Sequence, residues 1–111
     1  MIMPKYEVII LPLAEDDIVR NTDYIYYGKK SPNTARMLLS GFRKAVGELV
    51  FMPEMHELDE DDKLATLGIR KSYYKNYKIF FYIDEEKGKV FVLRVLHMLV
   101  DSKALLLNMF F

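Results

Sequence analysis

Residues 76 to 97 read "NYKIFFYIDEEKGKVFVLRVLH", two apolar, aromatic-rich runs of strand length split by a charged turn. Gly88 in that turn is free to take a positive φ, so the stretch predicts a β-hairpin and commits the C-terminal half to a sheet. The preceding "ATLGIRKSYY", residues 65 to 74, predicts one more strand, which makes three in a row. Alternation assigns their faces. Ile79, Phe81 and Ile83 form an apolar set that should face a covering layer, with Lys78, Phe80 and Tyr82 on the other side. The same test on the last strand groups Phe91, Leu93 and Val95 as core and leaves Arg94 on an open face with Val90 and Val92.

The N-terminal half supplies the covering layer. "KYEVIIL", residues 5 to 11, is a strand by its β-branched content, and Pro12 suits the first turn of a helix. Ala14, Ile18, Thr22 and Ile25 then recur at helical spacing, with Glu15, Asp16 and Asp17 in the first turn where the helix dipole favours carboxylates. Gly28, near "YYGKKSPN", reads as the C-terminal cap. Ser31 and Pro32 signal a second helix, whose stripe of Ala35, Leu38, Leu39, Phe42, Val46 and Leu49 should cover the sheet. The short connection predicts an antiparallel helical hairpin. Pro53 ends it, and "EMHELDEDD" follows with six acids in nine residues. That run lacks the alternating spacing and turn glycine of a calcium loop, so it reads as a solvated surface loop in which His56 is incidental.

Composition limits what such a chain can be. With 111 residues, 51% of them hydrophobic, it has material for one core, so residues 1–111 form a single α+β domain of order β-α-α-β-β-β. Sixteen basic residues balance sixteen acidic ones, and the strong positive field that usually announces a nucleic-acid binder is missing. Without cysteine there is neither a disulfide framework nor a thiolate metal site, and a reducing cytoplasm is the expected compartment. The N-terminal apolar run is too short for a signal peptide or membrane span and reads as mature sequence.

The candidate functional residues lie in the sheet. From Lys63 to Ile83 there is no acid, and Arg70, Lys71, Lys75 and Lys78 alternate with Tyr73, Tyr74, Tyr77, Phe80 and Tyr82. Cations that hold phosphates, interleaved with rings that stack on bases, are what a single-stranded RNA groove needs. The same residues are also an ordinary solvated strand face. Arg94, within an apolar strand, must reach water, a ligand or a carboxylate, with Asp101 or the acidic loop as the expected partner. His97 has the chemistry of a general acid or base, or of a structural donor. No serine or cysteine nucleophile accompanies them, and one histidine is too few for zinc, so no metal and no cofactor are expected.

The order strand, helical hairpin, three-stranded sheet, together with "GIRKSYYKNYKIFFYID" and "VLRVLHMLVD", resembles the RelE/ParE superfamily of bacterial type II toxin–antitoxin modules, of the plasmid-stabilisation type. The opening "YEVIILPLAEDDI" is similar to that family's first strand and helix start. The resemblance implies a growth-inhibiting toxin of an addiction module, neutralised by a cognate antitoxin whose tail wraps the open sheet face and the helices. One branch cuts messenger RNA on the ribosome without a metal. For that chemistry the matching residues are Arg70, Lys71, Tyr73, Tyr82, Arg94 and His97, with Lys75, Tyr77, Lys78 and Asp101 as binding residues. The other branch binds DNA gyrase and needs no active site. After His97 the family commonly carries a basic residue, whereas this chain has Met98, Leu99 and Val100. Each donor lost from a charge-stabilising site costs about 2.7 to 4 kcal/mol of transition-state stabilisation, so the departure favours gyrase binding over the ribonuclease. A decayed toxin that only binds its antitoxin is the third alternative. Finally, "ALLLNMFF", residues 104 to 111, has seven apolar residues in eight and must be buried. It either packs back as a short final helix or docks on another copy or the antitoxin, and the second is the expectation.

Overall fold

The computed structural model describes residues 6–111, and Lys5 of the first predicted strand lies outside them, as do residues 1–4. The strand itself, β1, runs Glu7–Ile10. Leu11 is extended and Pro12 occupies the first turn of α1, Pro12–Asp23, because a residue with no N–H and a fixed φ loses nothing at that position. Helix α2 spans Pro32–Gly47. Its predicted stripe is buried at Ala35, Leu38, Phe42, Val46 and Leu49, with Leu39 partly buried against the same cluster. Three strands follow: β2 Ile69–Tyr74, β3 Tyr77–Asp84 and β4 Lys89–His97. The sheet order is β1-β4-β3-β2, parallel between β1 and β4 and antiparallel elsewhere. Gly88 turns the β3–β4 hairpin at φ 65°, as predicted.

Between the two long helices the reversal differs from expectation. Gly28 does not cap α1; the chain widens into a π-type turn over Tyr24–Gly28, closed by Lys29 N–H donating to the Tyr24 carbonyl at 3.1 Å. The left-handed residue is Lys30, at φ 51°. Ser31 precedes α2 as predicted, yet its hydroxyl donates to the Thr34 hydroxyl at 2.8 Å rather than to a backbone group. The hairpin is tied across its length by Arg43, whose guanidinium forks onto Glu15 at 2.7 and 2.5 Å. That pairing holds the Glu15 carboxyl below its ordinary pKa and raises that of Arg43. A carboxylate whose native pKa is depressed contributes stability above its unfolded value, near 4.3, and the contribution is lost as pH falls through the lower native value. Glu15→Gln should therefore cost about 0.2–1 kcal/mol at neutral pH, the range for exposed pairs, and the difference from the parent should shrink in urea titrations as pH falls below the ordinary carboxylate range and vanish below the lowered native value.

The two faces of the sheet carry separate cores. Ile79 and Phe81 of β3 pack toward α1 and α2, as alternation indicates, with Ile83 partly buried beside them. On β4 the assignment is reversed for four positions, Val90, Phe91, Val92 and Leu93. Val90 and Val92 lie in the helical-hairpin core with Val95, whereas Phe91, Leu93 and Leu96 face the other way. Both sides of this stretch are apolar, so pairing with β3 sets its phase; Phe81 pairs with Val92 but Phe80 with Arg94, and Leu93 is therefore an extra residue whose bulge shifts the parity after it and keeps Val95 on the helical-hairpin face.

The second face is not open. Phe80, which alternation places on the side away from α1 and α2, is fully buried there with Leu93, Leu96 and Ile69 beneath two short helices, α3 (Asp62–Thr66) and α4 (Ser102–Phe110). Helix α3 falls where a loop and the start of a strand were expected. The Asp61 carboxylate accepts from Leu64 N–H at 3.1 Å, Leu64 is buried, and Gly68 at φ 83° ends the segment, so a cap, an anchor and a left-handed glycine together outweigh the strand pattern of "ATLG". The acidic run is likewise more than a solvated loop. Leu58 bridges to Arg70, Asp59 N–H donates to the Ile69 carbonyl and Lys71 N–H to that of Glu57, which covers the edge of β2.

Candidate functional site

Register decides which of the nominated side chains can act together. Residues paired across strands share a face. Lys71 pairs with Phe80, Tyr73 with Lys78, and Tyr82 with both Ile69 and Phe91, which places Lys71, Tyr73, Lys78 and Tyr82 on the α3/α4 side. Arg70 pairs with Phe81 and Tyr77 with His97, which places those three on the α1/α2 side. Arg94 pairs with Phe80 just past the bulge, but its guanidinium is drawn to Asp17 of α1, and Lys75 and Asp101 lie outside the strands. The six residues suited to a metal-free phosphodiester site therefore do not converge.

Their electrostatic partners are internal. Strand β1 pairs with β4 only as far as Val92, so the Val95 N–H and C=O, which point away from β3, have no strand neighbour. Helix α1 supplies substitutes: Asp17 accepts from Val95 N–H at 3.0 Å, and Asn21 donates to the Val95 carbonyl at 3.3 Å. Arg94 reaches the same carboxylate through Nε at 2.7 Å and Nη2 at 2.9 Å. Its partner is therefore Asp17, not Asp101 or the acidic loop, and the pairing raises the Arg94 pKa further above its ordinary value. Asp17 is buried, so the helix dipole that accounts for a first-turn acid is not its whole role. A signal for this existed: position 17 is three residues from Ala14 and next to Ile18, so it falls on the buried stripe of α1.

The other cations are similarly engaged. Lys71, the only buried lysine among the described residues, is ion-paired with Glu60. Arg70 donates to the His56 carbonyl at 2.6 Å and the Glu54 carbonyl at 3.3 Å, and the His56 ring meets Phe81 edge-on, so His56 is structural rather than incidental. Lys75 sits in the β2–β3 turn at φ 50°, 5.7 Å from the centre of the Tyr74 ring. His97 accepts from Leu99 N–H through Nδ1 at 3.2 Å and packs edge-on to Tyr77, which leaves only Nε2 for any proton transfer. Burial raises the Tyr77 phenol above its ordinary pKa and makes it a weaker acid, so the phenolate that could act as a base is less available. Asp101 caps α4 by accepting from Ala104 N–H at 3.3 Å. Tyr73 and Tyr82 are exposed, and Lys78 between them is half-buried and takes part in none of the ion pairs among the described residues.

Two features here were not read from the sequence. One is an apolar groove of about 460 Å³ where the end of α4 meets the sheet, lined by Leu11, Leu67, Tyr82, Phe91, Leu93 and Phe110 among others. The other is the exposure of Met98, Leu99 and Val100 beside His97, residues that the sequence marks only for the missing basic side chain. Of the described helices, none is long and apolar enough to cross a membrane.

Comparison with known proteins agrees with this arrangement. The profile of a family described as "ParE toxin of type II toxin-antitoxin system, parDE" matches residues 8–101. Among solved structures, a chain from the chromosomal ParDE toxin–antitoxin system of P. aeruginosa is similar in fold, with a TM-score of 0.68 and 14% identity over 86% of this chain and 98% of that one. A chain of the toxin–antitoxin complex RelBE2 from Mycobacterium tuberculosis has a TM-score of 0.59 and 26% identity over 86% of this chain and 93% of that one. None of the curated protein sequences matches significantly.

Proposed function

Since the chain belongs to the ParE toxin family of type II toxin–antitoxin systems, we propose that it arrests growth by binding DNA gyrase and is neutralised by a cognate antitoxin. The observation that carries the choice of target is the separation of the candidate cations. Lys71 and Arg94 are each committed to a carboxylate of their own chain, and Arg70 lies on the opposite face from Lys71. A metal-free ribonuclease needs several cations around one phosphate, whereas inhibition by binding asks only for a stable surface. The antitoxin half of the reading is supported by the groove at the end of α4, an apolar trough of the kind that takes the apolar face of a helix.

Purified protein should inhibit supercoiling by gyrase at concentrations where the protein mixed with its antitoxin does not, and induced expression without antitoxin should stop growth. Unimpaired supercoiling together with codon-positioned cuts in ribosome-bound mRNA would reverse the assignment. That second reading rests on Tyr73, Lys78 and Tyr82, which remain accessible on one face. Alanine at all three should then abolish toxicity without changing thermal stability. Normal growth at high levels of folded protein would leave the decayed toxin as the correct reading.

A further inference from the structure

The connection from α2 to α3 holds four large apolar side chains in solvent: Phe51, Met52, Met55 and Leu58 are 52%, 60%, 70% and 43% exposed. They are held there by the backbone. Met52 sits in the left-handed region at φ 46°, which a side-chain-bearing residue adopts only when its surroundings impose it. Pro53 next to it is buried, Met55 N–H returns to the Met52 carbonyl at 3.0 Å, and Arg70 clasps the Glu54 and His56 carbonyls. The bridge at Leu58 fixes the far end to β2. A loop free to relax would turn these side chains inward; this one presents them.

The segment's own charge has one sign, and the cation that touches it, Arg70, is held on the Glu54 and His56 carbonyls. From Glu48 to Asp62 there are seven acids and no lysine or arginine. Asp59, Glu60 and Asp61 serve the fold, but Glu48, Glu54 and Glu57 are exposed and take part in none of the described ion pairs. Flexible methionines on a fixed scaffold adapt to different apolar surfaces, and a rim of carboxylates selects a cationic partner while repelling nucleic acid and anionic lipid. We propose that Phe51, Met52, Met55 and Leu58, flanked by Glu54 and Glu57, form a docking surface for a basic amphipathic helix of a partner protein. The surface is independent of the gyrase reading and would stand if the target were different.

The test uses the full chain and two fluorescent peptides of about 18 residues, five helical turns, one amphipathic in leucine and lysine and the other identical but with glutamate for lysine. At about 150 mM salt, where long-range attraction is screened, the lysine helix should bind and the glutamate helix should not, with NMR shift changes confined to residues 51–58 and their contacts. Met55→Lys and the pair Glu54→Lys/Glu57→Lys should each weaken binding at least about tenfold, as loss of a central anchor or of the selecting charge does. Leu99→Lys, at another exposed apolar position, should leave it unchanged. Equal binding of both peptides, equal loss in Leu99→Lys, or shift changes elsewhere would overturn the proposal. So would a dimer of the protein alone that Met55→Lys dissolves, since a second copy would then be the occupant.

Discussion

Asp17→Ala is expected to cost about 3–5 kcal/mol, the range for removing one partner of a buried ion pair. The carboxylate has two duties at once. It neutralises Arg94, whose side chain is 11% exposed, and it accepts from Val95 N–H where β4 has no strand neighbour. Its removal leaves a cation and a backbone donor unpaired in the same place, and each such group carries a desolvation penalty. Against a total stability of about 5–15 kcal/mol, a loss of this size should lower the melting temperature by on the order of 20 °C. Arg94→Ala should be milder but still destabilising, because Asp17 keeps its bond to Val95 N–H and a contact to Arg20 at 3.3 Å. Urea titrations of both single variants and the double variant give the coupling directly. A loss below about 1 kcal/mol for Asp17→Ala would show that water replaces the carboxylate and that the pair is not structural. The same experiment bears on toxicity: Arg94→Ala should abolish it only to the extent that it unfolds the protein.

What the sequence discloses and what it hides follow from the range of each signal. The stripe of α2 and the Gly88 hairpin are local patterns, and both are realised residue by residue. The face of β3 is local too, because it has a clear apolar and a clear mixed side. On β4 both sides are apolar, so alternation has no phase, and only pairing with β3 can decide that Val90 and Val92 face the helical hairpin. The bulge at Leu93 is a property of two strands together and leaves no mark in either alone. Asp17 was overlooked for a different reason: an acid in a helix's first turn already has an adequate explanation in the dipole, and only the position of the β4 edge shows that it has another.

The candidate site was legible as composition and not as geometry. Basic and aromatic residues do alternate along β2 and β3, but alternation sends neighbours to opposite faces, so Arg70 and Lys71 cannot serve one phosphate. The acidic run, dismissed as solvated, supplies Glu60 to Lys71 and the covering bridge at Leu58. Long-range charge pairing of this kind is invisible in a window of neighbouring residues.

Deleting residues 104–111 is expected to be more damaging than any single substitution on the sheet surface. Leu106 is fully buried among Leu64, Ile69, Phe80, Leu93 and Leu96, and Leu105, Leu107 and Met109 pack around the same cluster. Leu106→Ala alone should cost about 2–5 kcal/mol. The deletion removes four such side chains, each contributing about 1.5–3 kcal/mol when fully buried and less where it is only partly covered. It also uncovers Phe80, Leu93 and Leu96 on a face where α3 is the one other covering helix among the described residues. The truncated chain should bind an apolar dye, lose its cooperative thermal transition and aggregate. Phe111→Asp should do none of this, because Phe111 is 80% exposed and surface changes of that kind stay within about 0.5 kcal/mol. The contrast separates the two halves of the tail: its inner residues close the second core, and Phe110, which lines the adjoining groove, remains for whatever enters it. A soluble, monomeric truncation with an unchanged transition would mean that α4 merely rests on the sheet, and the second face would then be an interface awaiting a partner rather than a core.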